Sequence, residues 1–86
     1  MVRIWAKVMK NEKIIKDTVY EDASTFDIYK FFDYLTPMCE KLDIATPIVV
    51  TKHLAHFLQF RNTTFTPSDF PESVRFDKLV IEDMSR

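Results

Sequence analysis

The stretch VRIWAKVMKNEKIIKDTVYE, residues 2–21, sets the architecture expected of this 86-residue chain. Its halves, 2–10 and 13–21, are rich in β-branched and aromatic residues, alternate in polarity and are separated by Asn11-Glu12. That is the pattern of a β-hairpin. With a two- or four-residue loop, Met9 faces Ile14 and Ile4 faces Val19. One side then collects Val2, Ile4, Ala6, Val8, Ile15 and Val19, an apolar face suited to the core. The other collects Arg3, Trp5, Lys7, Met9, Ile14, Lys16, Thr18 and Tyr20, a basic and aromatic face.

Downstream, Ser24 followed by Asp27 resembles a capping box with Asp in place of Glu, and apolar residues recur at Ile28, Phe31, Phe32, Leu35, Cys39 and Leu42. This is a sustained helical stripe with an acidic outer side. Pro37 predicts a kink, or an end near Leu35 with a restart capped by Thr36. After Thr46-Pro47, the β-branched run Ile48–Val50 reads as a buried strand, and Thr51 caps a helix from Lys52 to about Arg61. The rival is one helix from Pro47, because short apolar runs fit both periods. Phe65 and Phe70 anchor a short strand and a turn within TTFTPSDFPES, and the alternation of residues 74–83 predicts a last strand. The order β-β-α-β-α-β-β describes an α+β two-layer sandwich, an antiparallel or mixed sheet with two helices on one face, built as a single domain over residues 1–86.

Composition narrows function by exclusion. The chain has no glycine, where average usage of roughly 7% would supply about six. Phosphate-cradling loops, dinucleotide fingerprints and nucleophile elbows rely on glycine for close backbone approach, so those enzyme classes are not expected. A formal net charge of −1 provides no long-range field toward nucleic acid or anionic lipid. The lone Cys39, the lack of a membrane-length apolar run and a start without signal-peptide character predict a cytoplasmic protein that needs neither disulfide nor membrane.

The pairing of the RIWAK hairpin (Arg3 to Lys7) with RNTTFTPSDF (Arg61 to Phe70) and the ending FDKLVIE resembles a group of small uncharacterised bacterial proteins. The resemblance spans nearly the whole chain. It implies a standalone small intracellular protein and carries no catalytic residue.

Four constellations are candidates for chemistry or binding. His53 and His56 lie one helical turn apart, but a structural zinc takes four ligands and a catalytic one three, and no carboxylate adjoins the pair in sequence. On a helix from Lys52, Leu54, Phe57 and Leu58 define the core side, with His53 at its edge and His56 further out. A Cys39–His dyad requires an exposed, electropositive thiol, whereas Cys39 sits within the apolar stripe. Asp27 with Asp33, and Glu40 with Asp43, read as a solvated acidic helix face rather than an acid/base pair. The expectation is therefore no enzyme, no metal and no cofactor. The face carrying Arg3, Trp5, Lys7, Met9, Ile14, Lys16 and Tyr20 is the strongest signal. It fits a protein partner or self-association, with the cations as a rim selecting an acidic partner. Single-stranded nucleic acid is the alternative, phosphates meeting Arg3, Lys7 and Lys16 while Trp5 and Tyr20 stack on bases.

Overall fold

The computed structural model describes residues 1–85. Strands β1 (Val2–Lys10), β2 (Lys13–Asp22), β3 (Asn62–Phe65) and β4 (Lys78–Asp83) form one antiparallel sheet in the order β2-β1-β4-β3. Helices α1 (Phe31–Leu42) and α2 (Thr51–Phe60) connect the β2 edge to the β3 edge across one face. The expected α+β two-layer arrangement and its N-terminal hairpin are present. Alternation in the central strand explains why it is central: Val2, Ile4, Ala6 and Val8 are fully buried under the helices, together with Phe65, Leu79 and Ile81 from the neighbouring strands. Burying both its edges in ladders and one face in the core makes β1 the scaffold on which every other element docks.

The hairpin turn uses two residues, Asn11 and Glu12, both at positive φ (52° and 63°). This is the mirror-image turn whose twist matches that of the strands, and it normally carries glycine. From Met9↔Ile14 the expected register holds for one step only. Val8 pairs with Lys16, so Ile15 is an extra residue and the strand carries a β-bulge. Beyond it the pairing is Ala6↔Thr18, Trp5↔Val19 and Ile4↔Tyr20, one residue displaced from the expected Ile4–Val19 pair. One residue reverses every face downstream, because side chains alternate with period two. Lys16 and Tyr20 therefore belong to the helix side, and Val19 to the open side.

Three helical readings also change. A 3₁₀ turn at Ile28–Lys30, capped by the Asp27 carboxylate on the Tyr29 N–H (2.9 Å), precedes α1. Ser24 is not that cap; its hydroxyl donates to Asp22. Helix α1 runs unbroken through Pro37, with the Thr36 hydroxyl donating to the Phe32 carbonyl at 2.9 Å. Its buried side is Phe31, Tyr34, Leu35, Met38, Cys39 and Leu42, while Phe32 turns outward. Tyr34 displaces it because its ring packs on Tyr20 and Phe26 while its hydroxyl accepts the Asp27 N–H (3.1 Å), so both its apolar body and polar tip are satisfied.

Residues 48–50 join no ladder. Ile48 donates its N–H to the Asp69 carbonyl (2.8 Å), Pro47 is buried, and the Ile48 and Val50 side chains are exposed. The edge strands of the sheet are β2 and β3, and this segment pairs with neither; its Ile48 N–H is satisfied by the Asp69 carbonyl instead. Helix α2 begins one residue before the expected Lys52, and its core side is His53 and Phe57, with Leu54 half-buried and Leu58 exposed.

A chain without glycine must turn its corners with other residues: Asn11, Glu12, Asp43 and Arg61 all occupy the left-handed region. Asp43 and Arg61 end α1 and α2, their N–H groups closing onto Cys39 and Glu40, and onto Phe57. Left-handed backbone costs a non-glycine residue about 1–2 kcal/mol, so Glu12→Gly is expected to stabilise the fold by about 1 kcal/mol and raise the Tm by about 4–8 °C in a thermal melt. Deleting Ile15 removes the bulge and turns Tyr20 to solvent; denaturant titration is expected to show a loss of about 2–4 kcal/mol.

Candidate functional site

The face of the sheet opposite the helices is covered by no element. Cross-strand pairing places its residues in rows, Asn62–Glu82–Trp5–Val19 and Thr64–Val80–Lys7–Asp17, with Lys78, Met9 and Ile14 beyond one end and Arg3 beside Glu21 at the other. Trp5, Met9 and Val80 are half-buried by their neighbours, whereas Ile14 and Val19 on the edge strand are more open. The bulge is what brings Asp17, Val19 and Glu21 here.

Those acids change the electrostatics of the face. The Trp5 indole N–H donates to Asp17 at 2.9 Å, and Lys7 Nζ stands 4.3 Å from the ring centroid. Trp5 is thus held from its edge by a carboxylate and on its face by an ammonium, a cation–π arrangement. Lys7 also approaches Glu82 at 3.8 Å, and Arg3 approaches Glu21 at 3.9 Å. At these distances and exposures such pairs add little stability, but they fix where each charge sits. The face is an apolar strip of Trp5, Met9, Val19 and Val80 within a ring of both signs.

Of the seven residues expected on one binding face, Arg3, Trp5, Lys7, Met9 and Ile14 are together. Lys16 and Tyr20 are not, for the reason the bulge supplies. Lys16 Nζ instead donates to the carbonyl of Leu42 (2.9 Å), placing a cation at the C-terminal end of α1. Tyr20 packs against Tyr34 with the rings tilted, centroids 5.4 Å apart, and burial raises the pKa of its hydroxyl above the ordinary value of 10.0, aided by the adjacent Asp22 carboxylate. The all-cationic rim expected from Arg3, Lys7 and Lys16 is replaced by a mixed one. Sequence reading missed Asp17, Glu21, Val80 and Glu82, although the alternation of β4 alone puts Val80 and Glu82 opposite Leu79 and Ile81.

The histidines are separated by environment. His56 is exposed, its Nδ1 donating to the Asn62 carbonyl (2.7 Å) and its ring packing on Phe60. His53 is 3% exposed. Its Nδ1 accepts the Val50 N–H (3.0 Å) while its own backbone N–H donates to the Val50 carbonyl, a reciprocal cap at the start of α2. With Nδ1 accepting, the proton of the neutral ring is on Nε2, which lies 3.5 Å from Asp69 without a hydrogen bond of good geometry. Asp69 in turn accepts from the Thr66 N–H (2.8 Å) and hydroxyl (3.3 Å), closing the same kind of cap on the 3₁₀ turn Pro67–Asp69. The carboxylate that folds against a histidine therefore reaches His53, from a turn sixteen residues further on by the numbering.

This arrangement is structural in character. The His53 ring lies against Phe65 (centroids 4.3 Å). Burial pushes the Cys39 thiol up to about 11, which removes the thiolate a nucleophile requires. Among the described residues, no three of His, Cys, Asp and Glu stand close enough to share a metal ion. No helix among them is long and apolar enough to cross a membrane. No family model, curated protein or solved structure matches the chain.

His53→Ala removes an N-terminal cap and the Phe65 contact together, so a loss of about 2–3 kcal/mol in denaturant titration is expected. The carboxyl of Asp69 is raised by burial but pulled further down by the Thr66 N–H and by His53, leaving it below its ordinary 3.8. A carboxyl depressed in the folded state contributes stability that is complete above that ordinary value and lost as pH falls through the lower folded value. Stability plotted against pH is expected to fall more steeply below about pH 4 in the native chain than in Asp69→Asn.

Proposed function

We propose that this protein is a binding module that captures another protein on its uncovered sheet face, with Trp5 as the anchor. The observation that supports this reading most is the state of Trp5: the only tryptophan of the chain, held half-exposed between Asp17 and Lys7 at the centre of an apolar strip. A rigid aromatic ringed by charged groups costs little conformational entropy on association, and such residues dominate interface energetics.

The mixed rim bears on the partner. Asp17, Glu21 and Glu82 alternate with Arg3 and Lys7, so a phosphate backbone laid across the face meets at least as many acids as bases. Counterion release, the main source of affinity for single strands, needs a cationic track instead. A protein surface carrying both signs satisfies the ring, with charge placement selecting register and orientation.

Trp5→Ala and Val80→Glu are expected to leave far-ultraviolet circular dichroism unchanged while lowering the yield of partners crosslinked to an immobilised chain by about thirtyfold, the loss of a hot-spot aromatic. Intrinsic fluorescence of Trp5 provides a second readout, expected to shift to shorter wavelength when the partner excludes water. An identical captured set for both variants and the native chain would sink this reading. Tight binding of single-stranded oligonucleotides that weakens steeply with salt would replace it with the nucleic-acid alternative.

A further inference from the structure

A cluster of exposed large apolar side chains lies on the opposite side of the molecule. Tyr29 is 94% exposed, Ile48 57%, Phe32 53% and Leu58 58%. The first three line a groove of about 600 Å³ between the 3₁₀ turn before α1 and the segment that precedes α2, floored by Ile28, Phe31, Pro47, Val49 and Leu54. The groove continues past Ile28 into a shallower depression beside Leu58, flanked by Asp27 and Lys30. Its walls are held firmly. Asp27 caps the turn that carries Tyr29, while Ile48 is tied to Asp69 and Val50 to His53. The groove is therefore a preformed feature, and exposed apolar area of this kind marks a contact surface.

We propose that a second copy of this chain occupies the groove, making an isologous dimer in which Tyr29 of each copy inserts into the groove of the other. Three observations favour a second copy over another occupant. A projecting aromatic and a concave apolar site of matching character adjoin on one patch, the condition a two-fold interface must satisfy, since whatever the groove receives must be offered by the same surface. Charge of both signs also borders the patch: Asp27 and Lys30 flank the depression beside Leu58, and neither takes part in an ion pair among the described residues, so a two-fold can set opposite signs facing. Finally, Tyr29, Phe32, Ile48 and Leu58 together offer on the order of 500 Å² of carbon surface per copy, a fitting centre for an interface that buries about 800 Å² per partner.

The proposed dimer is independent of the sheet-face reading, because the groove and Trp5 lie on opposite layers. Dimerisation through the helical layer leaves both copies of the Trp5 face open, and a partner would then meet two sites at once.

Sedimentation equilibrium and native mass spectrometry of the full chain at micromolar concentrations are expected to show a dimer. Tyr29→Ala and Ile48→Glu, both surface changes, are expected to weaken it by about thirtyfold or more with unchanged circular dichroism, while Trp5→Ala leaves it intact. A second measurement tests the geometry. Mixed Tyr29→Cys and Ile48→Cys copies should join by an intermolecular disulfide under mild oxidation, the native Cys39 being buried and a poor competitor. A monomeric native chain, a dimer that survives Tyr29→Ala, or a dimer lost with Trp5→Ala each overturns the proposal, the last while leaving the sheet face as an interface.

Discussion

Opposite the step from Val8 to Met9, strand β2 carries one residue more than its partner, and the pleat converts that residue into an exchange of faces along the rest of the strand. Most of what distinguishes the two sides of the molecule follows from it. On the helix side the exchange delivers Tyr20 to Tyr34, whose hydroxyl in turn receives the N–H of Asp27, and delivers Lys16 to the terminal carbonyls of α1. On the open side it supplies Asp17, Val19 and Glu21, which immobilise Trp5 and Arg3 and turn a basic surface into one of balanced sign. Without the bulge the same residues would make a cationic aromatic face and leave α1 without its cross-layer partners.

The second constraint is the absence of glycine. Four of the corners fall on residues with a Cβ in left-handed backbone, and they are maintained by the bonds that surround them: paired strands at Asn11 and Glu12, helix carbonyls at Asp43 and Arg61. Between them, the segment preceding α2 is bound by Ile48 to Asp69 and by Val50 to His53, and Asp69 is bound to Thr66. A histidine that resembles chemistry in the sequence thus serves as a pin between a helix start and a turn. Its buried Nε2 has no hydrogen bond of good geometry, the Asp69 carboxylate standing 3.5 Å away.

Rigid anchoring and exposed apolar surface coincide at two places, on opposite layers. Around Trp5 the surface is narrow and bordered by fixed charges, the combination that confers orientation and selectivity. Around Tyr29 it is broader, more carbon-rich and concave, the combination found in the centre of homomeric contacts. Both layers keep apolar side chains at the surface because the core is built from the inner faces alone, with β1 supplying four fully buried residues and α1 six buried ones.

The architecture was legible in the residue order because it rests on periodicity: alternation marks β1 and β4, and a stripe of three-and-four spacing marks α1. Arg3, Trp5, Lys7 and Met9 could be grouped for the same reason, since they share one uninterrupted strand. What could not be read were outcomes of competition between distant groups. A bulge depends on which of two registers gives better burial across the layers, so Tyr34, fourteen residues away in the chain, settles where Tyr20 points. Whether Ile48–Val50 forms a strand depends on which distant group meets its N–H, here the Asp69 carbonyl, and whether Phe32 or Tyr34 faces inward depends on the partners each would find. Local pattern determines which elements exist; only packing between layers determines which of their residues remain on the surface.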